Sequence, residues 1–515
     1  MKEAMKEAKK PALAVLLFLG LMIIYYGIAV KNRIYNSDEA YITRAAYEFA
    51  NGNYLLKGFT GGNASQLWAI LWSCFFSIFV GFGPENIYLV SAFNYAILVC
   101  VCCFIAAKTA SDLTGERHFS IKRGLITFAV IGMPPADLDL TMHNSSHIIC
   151  YALIFIVLYL TSECMAMRNV RRNIILIFLV LTLACVDDSF AIYFGALPVI
   201  FVCVLHFVFS DKNRKKAYMM GIILTVSVIS VLLSQLCLYL VESRGGLVLP
   251  FMYERVFIAV ENVFDNIAVS IRDILYCFSG DFSERIIVHK GTIFKVLPNA
   301  AIAAVCIYSL FWLIKRIHTL SVCVQLVVAS VITCYMVITF SNLASLSAQR
   351  YYMMCFFGMA TLLGITDLKM IRINRTIVCL FTLLLCGSFV LKAVPVSVIR
   401  EKNTFDKVAE YLEENHLYHG YGEFWASNTI SVASNCRVQI GAVEANVEKP
   451  YTFLIDKAWY EGEAHFFVFT EGNAHNITEE AVKEIYGENY ELIKIDYICI
   501  MSFNEDISNS LKSPY

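Results

Sequence analysis

The sequence predicts a polytopic α-helical membrane protein with about eleven spans, one outer juxtamembrane helix and a small C-terminal extracytoplasmic α/β domain. Hydrophobic residues make up 58% of the 515 residues, only 16% are charged, and the mean hydropathy is +0.62, which is typical of integral membrane proteins. Residues 400–515 hold 9 Lys and Arg against 20 Asp and Glu, whereas residues 1–399 hold 32 against 22. This asymmetry predicts a basic membrane domain, 1–399, followed by an acidic soluble domain, 400–515.

The first apolar run, 11–30, follows several lysines and precedes no small-residue cleavage site, so we interpret it as a retained signal anchor. About 20 apolar residues are needed to cross the hydrocarbon core. Eleven segments can do so, some only with their flanks: 11–30, 87–108, 121–135, 148–166, 173–187, 190–209, 218–240, 297–314, 320–341, 351–368 and 376–395.

Basic loops set the predicted orientation. Every second loop is rich in Lys and Arg, namely 108–123, 168–172, 212–216, 315–316 and 369–375, whereas the alternate short loops 134–147 and 186–189 have none. The positive-inside rule therefore predicts a cytoplasmic N-terminus and an extracytoplasmic C-terminal domain. The apolar run 66–80 would invert this pattern as a span, so we predict an outer juxtamembrane helix there, with Trp68 and Trp72 on one face.

Residues 404–415 and 478–486 of the tail read as helices, the second capped by Thr478, and 465–470 and 496–503 read as strands. The stretch Gly420–Trp425 places Tyr421 and Trp425 beside glycines. Two interpretations stay open: these rings stack on an acceptor sugar, or they pack the core of a small domain.

Most of the 18 cysteines lie in apolar runs, where Cys behaves as a small hydrophobe, and no cluster that combines Cys and His at zinc-site spacing is present. Chemistry is instead predicted from polar residues that collect on the outer face. Asp38 and Glu39 directly follow the first span. Ser37 or Asp38 could simply cap the helix that follows. Alternatively, Asp38 is a carboxylate at the membrane surface that takes a proton from an attacking hydroxyl.

The loop 134–147 contains Asp137, Asp139, His143 and His147 but no basic residue. An Asp-x-Asp with a nearby His could bind a divalent cation. Alternatively, the histidines merely begin the fourth span. The metal requirement stays open, and no cofactor is certain.

Asp187 and Asp188 separate two apolar runs almost without a loop. Two adjacent acids at that depth favour a water-filled cavity or a cationic partner, although an ordinary outer turn is the alternative. Arg350 precedes Tyr351 at the start of the tenth span. Its guanidinium could bind a phosphate with two hydrogen bonds, or could snorkel in an aromatic belt.

Together these features resemble the GT-C superfamily of polyprenyl-phosphosugar-dependent glycosyltransferases, which includes protein O-mannosyltransferases and bacterial aminoarabinose transferases. The similarity lies in the following elements: the acidic pair Asp38–Glu39, an outer helix ending in Gly81–Asn86, a basic turn at 108–123, a polar outer loop at 137–147, a late Arg350–Tyr351 and an outer C-terminal domain.

The resemblance implies an undecaprenyl-phosphate-linked sugar donor and an extracytoplasmic glycan, lipid or polymer as acceptor. It implies that Asp38 is the general base of an inverting transfer, that Glu39 orients the site and that Arg350 stabilises the departing polyprenyl phosphate. A bacterial plasma membrane is the expected location, and no nucleic acid is an expected partner.

Two alternatives stay open. A lipid-linked saccharide transporter or flippase would place its polar groups at the bilayer midplane. An envelope polysaccharide polymerase or ligase would use basic residues of a long outer loop, and the loop 242–296 has six of them: Arg244, Arg255, Arg272, Arg285, Lys290 and Lys295.

Overall fold

The computed structural model describes residues 2–114, 120–144, 146–209, 214–250, 256–281, 290–344, 348–366, 375–391, 394–474 and 477–511. Fifteen helices precede the tail in this part of the chain: α1 (Lys2–Asn32), α2 (Ser37–Ala50), α3 (Leu67–Val80), α4 (Pro84–Thr114), α5 (Ile121–Ile131), α6 (Asp139–Met142), α7 (Ile148–Met165), α8 (Val170–Asp187), α9 (Leu197–Phe209), α10 (Arg214–Ser243), α11 (Val263–Cys277), α12 (Lys290–Ile314), α13 (Val322–Thr339), α14 (Met353–Ile365) and α15 (Arg375–Leu391).

Each of the eleven predicted spans coincides with one of these helices, and the chain is a multi-pass membrane protein. In the described residues, six helices are long and apolar enough to cross a membrane by themselves: Leu13–Asn32, Pro84–Thr109, Ile148–Met165, Lys215–Ser243, Val296–Ile314 and Val322–Thr339. The predicted span 121–135 ends earlier, because Pro134 and Pro135 cannot continue α5 beyond Ile131. Residues 367–368 and 392–393 of the last two predicted spans lie outside the described residues.

One end of the bundle carries the loops that lack basic residues, together with the C-terminal α/β part; we call it the tail face. The side chain of Arg33, which follows α1, donates to Asp139 before α7 at 2.8 Å. The basic loop 168–172 follows α7 and therefore lies at the opposite end. The alternation of charge in the sequence thus corresponds to two physically separate ends of the bundle.

Helix α3 starts and finishes on the tail face. The N–H of Trp68 in its first turn donates to Asp187 at the end of α8, at 2.8 Å. A Cβ at Gly81, just after α3, would lie 2.8 Å from Oδ1 of Asn435 in the tail. The predicted juxtamembrane helix is therefore confirmed.

The tail contains α16 (Thr404–Glu414), α17 (Phe424–Ala433) and α18 (Glu479–Tyr486). Strands β1 (Phe59–Thr60), β2 (His419–Glu423), β3 (Gln439–Val443), β4 (Ile455–Asp456), β5 (Phe466–Thr470), β6 (Tyr490–Ile495) and β7 (Ile498–Phe503) form two sheets, β1-β4 and β3-β2-β5-β7-β6. The predicted helices and strands of the tail are confirmed, and the hydroxyl of Thr478 accepts from the N–H of Ala481 as its N-cap.

Tyr421 belongs to the core of the tail. Its ring is 0% exposed and lies 6.3 Å from the ring of Tyr460 and 6.2 Å from that of Tyr486, measured between centroids. A ring with no exposed surface cannot stack on a sugar, so core packing is the correct interpretation for Tyr421. Trp425 is 40% exposed, and its sugar-stacking role stays a prediction.

We expect Tyr421→Ala to lower the free energy of unfolding of the tail by about 3–5 kcal/mol, because it removes a fully buried aromatic ring. Tyr421→Phe is the matched control. The Tyr421 hydroxyl is buried without a hydrogen-bond partner, so its removal leaves stability unchanged or raises it. Chemical unfolding in detergent measures both. An alanine variant with normal stability would contradict the core assignment.

Candidate active site

Asn36 caps α2 and so leaves the Asp38 side chain available. Oδ1 of Asn36 accepts from the N–H groups of Asp38 at 3.1 Å and Glu39 at 3.3 Å. Nε2 of His143 donates to the same oxygen at 3.0 Å. The prediction that Ser37 or Asp38 caps this helix was wrong, because the residue before them performs that role. The Ser37 hydroxyl instead donates to the carbonyl of Phe424 in the tail, at 2.6 Å.

Glu39 forms a buried ion pair with Arg33, and both side chains are at most 3% exposed. The N–H of Asn144 donates to Glu39 Oε1 at 3.1 Å, and Arg33 donates to the carbonyl of Met142. Burial alone would lower the pKa of Arg33, but the carboxylate of Glu39 outweighs it and the pKa is raised. Glu39 therefore fixes the loop before α7 against α2, which agrees with an orienting role.

A cavity of about 90 Å³ lies at the tail face, and Asp38 is one of its walls. Charged and polar residues from five separate segments line it: Asp38, Asn63, Gln66, His147, Asp188, Arg350 and Tyr351. Apolar residues complete it, among them Phe190, Leu343, Phe453 and Leu454. The structure thus brings together five of the residues that the sequence singled out.

Burial raises the pKa of the Asp38 carboxyl above its ordinary range, and the nearby His143 and Arg350 lower it by a smaller amount. A carboxylate that is more basic than usual and faces a cavity is suited to accept a proton from a bound hydroxyl.

The two adjacent acids at the end of α8 have different partners. Oδ1 of Asp187 accepts from the N–H of Trp68, so Asp187 stabilises the start of α3. Asp188 lines the cavity, where its Oδ2 accepts from Nδ1 of His147 and its Oδ1 from the N–H of Phe190 at 2.9 Å. The sequence could not tell which of the two acids faces the cavity.

Arg350 is the cation of the cavity. Its Nη2 donates to the hydroxyl of Tyr351 at 3.3 Å, and its guanidinium carbon lies 5.2 Å from the centroid of that ring. Nε of Arg350 is buried without a hydrogen-bond partner, and no acidic side chain of the described residues pairs with it. A guanidinium in this state suits a phosphate ligand.

Three predicted residues of the loop 134–147 do not line the cavity. Asp137 accepts from the hydroxyl of Tyr276 at 3.1 Å, Asp139 accepts from Arg33, and His143 donates to Asn36. Each therefore positions a neighbouring segment. Within the described residues, no group of three or more His, Cys, Asp or Glu side chains is arranged to hold a metal ion. These residues do not fit the Asp-x-Asp cation site that the sequence allowed.

Sequence reasoning missed the contribution of the tail to the cavity. Phe453 and Leu454 reach it because β4 pairs antiparallel with β1, with Phe59 opposite Asp456. It also missed Gln66, whose side-chain oxygen is buried without a partner. A two-residue strand pair between distant segments has no sequence signal of its own.

The fold was compared with solved structures. ArnT from Cupriavidus metallidurans bound to undecaprenyl phosphate matches with a TM-score of 0.59 over 95% of this chain and 97% of that one, at 13% identity. Its apo form matches with a TM-score of 0.58 over 98% and 99%, at 12% identity. The fold is therefore similar to that of ArnT over nearly the whole chain, which confirms the fold that the sequence resemblance to aminoarabinose transferases implies. No family model and no curated protein sequence matches.

We expect Glu39→Gln to cost about 3–5 kcal/mol of stability, because it leaves the buried charge of Arg33 without its main partner. A double-mutant cycle with Arg33→Met should be strongly non-additive, since both single changes break the same pair. Unfolding in detergent gives the free energies.

The exposed pair Lys402–Glu410 is the control, and Glu410→Gln should change stability by no more than about 0.5 kcal/mol. Additive effects of the Arg33 and Glu39 substitutions would show that the pair does not hold the site together.

Proposed function

We propose that this protein is an inverting glycosyltransferase that moves a sugar from a polyprenyl-phosphate donor to an extracytoplasmic acceptor. The observation that carries the proposal is the cavity in which Asp38 and Arg350, a base and a cation, line one space at the membrane boundary. The likeness to ArnT, crystallised with undecaprenyl phosphate, supports a polyprenyl-phosphate ligand.

Asp38 is the general base in this proposal. It takes the proton of an acceptor hydroxyl while the acceptor oxygen bonds to the anomeric carbon. The bond from that carbon to the phosphate oxygen breaks, and its electron pair stays on the phosphate. Attack opposite to the leaving group inverts the anomeric carbon. Glu39 is a positioning residue, because it contacts Arg33 and Asn144 rather than the cavity.

Arg350 binds the departing phosphate in this proposal and neutralises the charge that develops on its oxygens. Tyr351 supports the guanidinium through its hydroxyl and ring. The tail face is then the extracytoplasmic face, where a glycan, lipid or polymer acceptor meets the donor in the outer leaflet.

Two observations bear on the alternatives. The polar residues of the site collect at one end of the bundle, whereas a transporter places them at the midplane. A polymerase or ligase would use the basic residues of the loop 242–296. Arg272 of this loop pairs with Asp281 at 3.6 Å, and Arg244 is exposed. Neither residue lines the cavity. Arg255, Arg285 and the side chains of Lys290 and Lys295 lie outside the described residues.

Asp38→Asn should lower transfer at least about 100-fold, because it removes the base but keeps the size of the side chain. Binding of undecaprenyl phosphate should change less than about twofold. The measurement is mass spectrometry of envelope glycans and lipid-linked sugars from cells with the wild-type gene, a deletion or the variant. Both altered strains should lose the same sugar and accumulate its donor.

Glu480→Gln is the control. Glu480 is the second residue of α18, just as Asp38 is the second residue of α2, but Glu480 is exposed. It tests whether loss of a helix-terminal charge alone matters. A sugar that disappears on deletion but persists with Asp38→Asn would exclude Asp38 as the base. An unchanged envelope on deletion would favour a transporter or polymerase.

The rate of transfer should fall as the pH drops through the pKa of Asp38, because only the ionised carboxylate accepts a proton. Burial raises this pKa, so the loss should begin at a higher pH than an ordinary aspartate would give. A profile of kcat/KM against pH measures it. Asp38→Asn should remove this acid limb from any residual activity, and an acid limb that survives would belong to another group.

A further inference from the structure

We propose that His147, held by Asp188, is a second hydrogen-bond donor to the phosphate of the polyprenyl ligand, beside Arg350. This inference rests on the proposed function. It adds a residue whose charge depends on pH to a site whose other cation, an arginine, is always charged.

The geometry of His147 leaves one ring nitrogen available. Its Nδ1 donates to Oδ2 of Asp188, and its ring packs 4.5 Å from that of Phe190 and 5.7 Å from that of Tyr351. These contacts fix the ring while the residue lines the cavity. Nε2, on the opposite edge of the ring, has no hydrogen bond to any described residue.

The backbone supports the same conclusion. His147 precedes α7 with a φ of +63°, in the left-handed region that bulky side chains seldom adopt. Asp188 holds the ring from the end of α8, and its own Oδ1 is fixed by the N–H of Phe190. The side chains of His147 and Asp188 are only 12% and 5% exposed. Such an arrangement holds an imidazole in one orientation, as second-layer carboxylates do in other sites.

Charged and titratable groups of several elements surround His147. Asp188 at the end of α8 and Asp38 on α2 face it across the cavity, and Arg350 and Tyr351 face it from the start of α14. On its own helix, the ring of Tyr151 lies 6.4 Å from that of His147, measured between centroids. A phosphate placed between Arg350 and His147 adds two negative charges or nearly so, which offset the repulsion between the two cations.

In the reaction, the phosphate gains charge as its bond to the anomeric carbon breaks. The Nε2–H of His147 donates to one phosphate oxygen and Arg350 donates to others. Asp38 holds the proton of the acceptor hydroxyl, so His147 transfers no proton in this step. Its contribution is the stabilisation of the leaving group by a charge-assisted hydrogen bond.

The test is binding of undecaprenyl phosphate to the purified full-length protein at pH 6 and pH 9. His147→Asn suits the left-handed backbone, because Asn tolerates that conformation. We expect it to lower affinity about tenfold at pH 6, as the loss of one hydrogen bond between charged groups does. While Nδ1–H is bonded to Asp188, the ring has an Nε2–H to donate only when it carries both protons, so the difference should shrink below about twofold once alkaline pH removes one of them. Titration of the phosphate itself affects both proteins, so it cancels when the wild-type affinity is divided by the affinity of the variant at the same pH.

Asp188→Asn is the second variant, because it keeps a partner for Nδ1 but removes the charge that favours the imidazolium. In the Asp188→Asn background, adding His147→Asn should lower affinity at pH 6 by a smaller factor than it does in the wild type. His416→Asn is the matched control, since His416 is an exposed tail histidine with a similar φ of +57°. It should leave affinity unchanged at both pH values, and undecaprenol should bind wild type and His147→Asn equally.

The outcomes separate the two proposals. If the wild type binds no undecaprenyl phosphate at either pH, the proposed function fails and this inference fails with it. If the wild type binds but His147→Asn loses nothing, or loses the same factor at both pH values while thermal unfolding shows a folded protein, His147 is not a phosphate donor. The proposed function would survive that result.

Discussion

The buried ion pair between Arg33 and Glu39 is the interaction on which the site depends. It joins the end of α1 to the first turn of α2, and through Met142 and Asn144 it also holds the loop before α7. Two charges removed from water are stable only when each is well paired. That requirement fixes the relative positions of three segments, and it places Asp38 on α2 and His147 before α7 as walls of one cavity. A weaker contact would leave these catalytic candidates free to separate.

In each of the two acidic doublets, Asp38–Glu39 and Asp187–Asp188, one carboxylate has a structural role and the other lines the cavity. Successive residues of an α-helix point about 100° apart, and the chain leaves the helix at Asp188, so the two acids of each doublet point in different directions. Glu39 turns inward to Arg33 and Asp38 faces the cavity. Asp187 accepts from the start of α3 and Asp188 turns to His147. In each doublet, one carboxylate holds a backbone segment in place and the other faces the cavity. Ser or Asn at these positions would not supply these two carboxylates.

The spans, the juxtamembrane helix α3 and four elements of the tail, namely α16, α18, β5 and β7, could be predicted, because hydropathy, charge alternation and helix caps are local properties of the chain. The assignment of individual polar residues could not. Asp137 and Asp139 look like a cation site in sequence, but Tyr276 and Arg33, which are distant in sequence, determine where their carboxylates lie. Asn36 performs the capping expected of its neighbours because it stands one residue before the helix. Such choices depend on tertiary contacts that leave no periodic signal.

The tail is part of the site rather than an appendage. Arg44 on α2 is only 3% exposed, donates to Oδ1 of Asn428 at 2.8 Å and to the carbonyl of Ile440 at 3.0 Å, and lies over the ring of Trp459. Burial lowers its pKa to about 10, so the guanidinium is still charged at neutral pH and needs all of these partners. Every one of them belongs to the tail. Because the same helix presents Asp38, the tail stabilises the position of Asp38 as well as closing the cavity with Phe453 and Leu454.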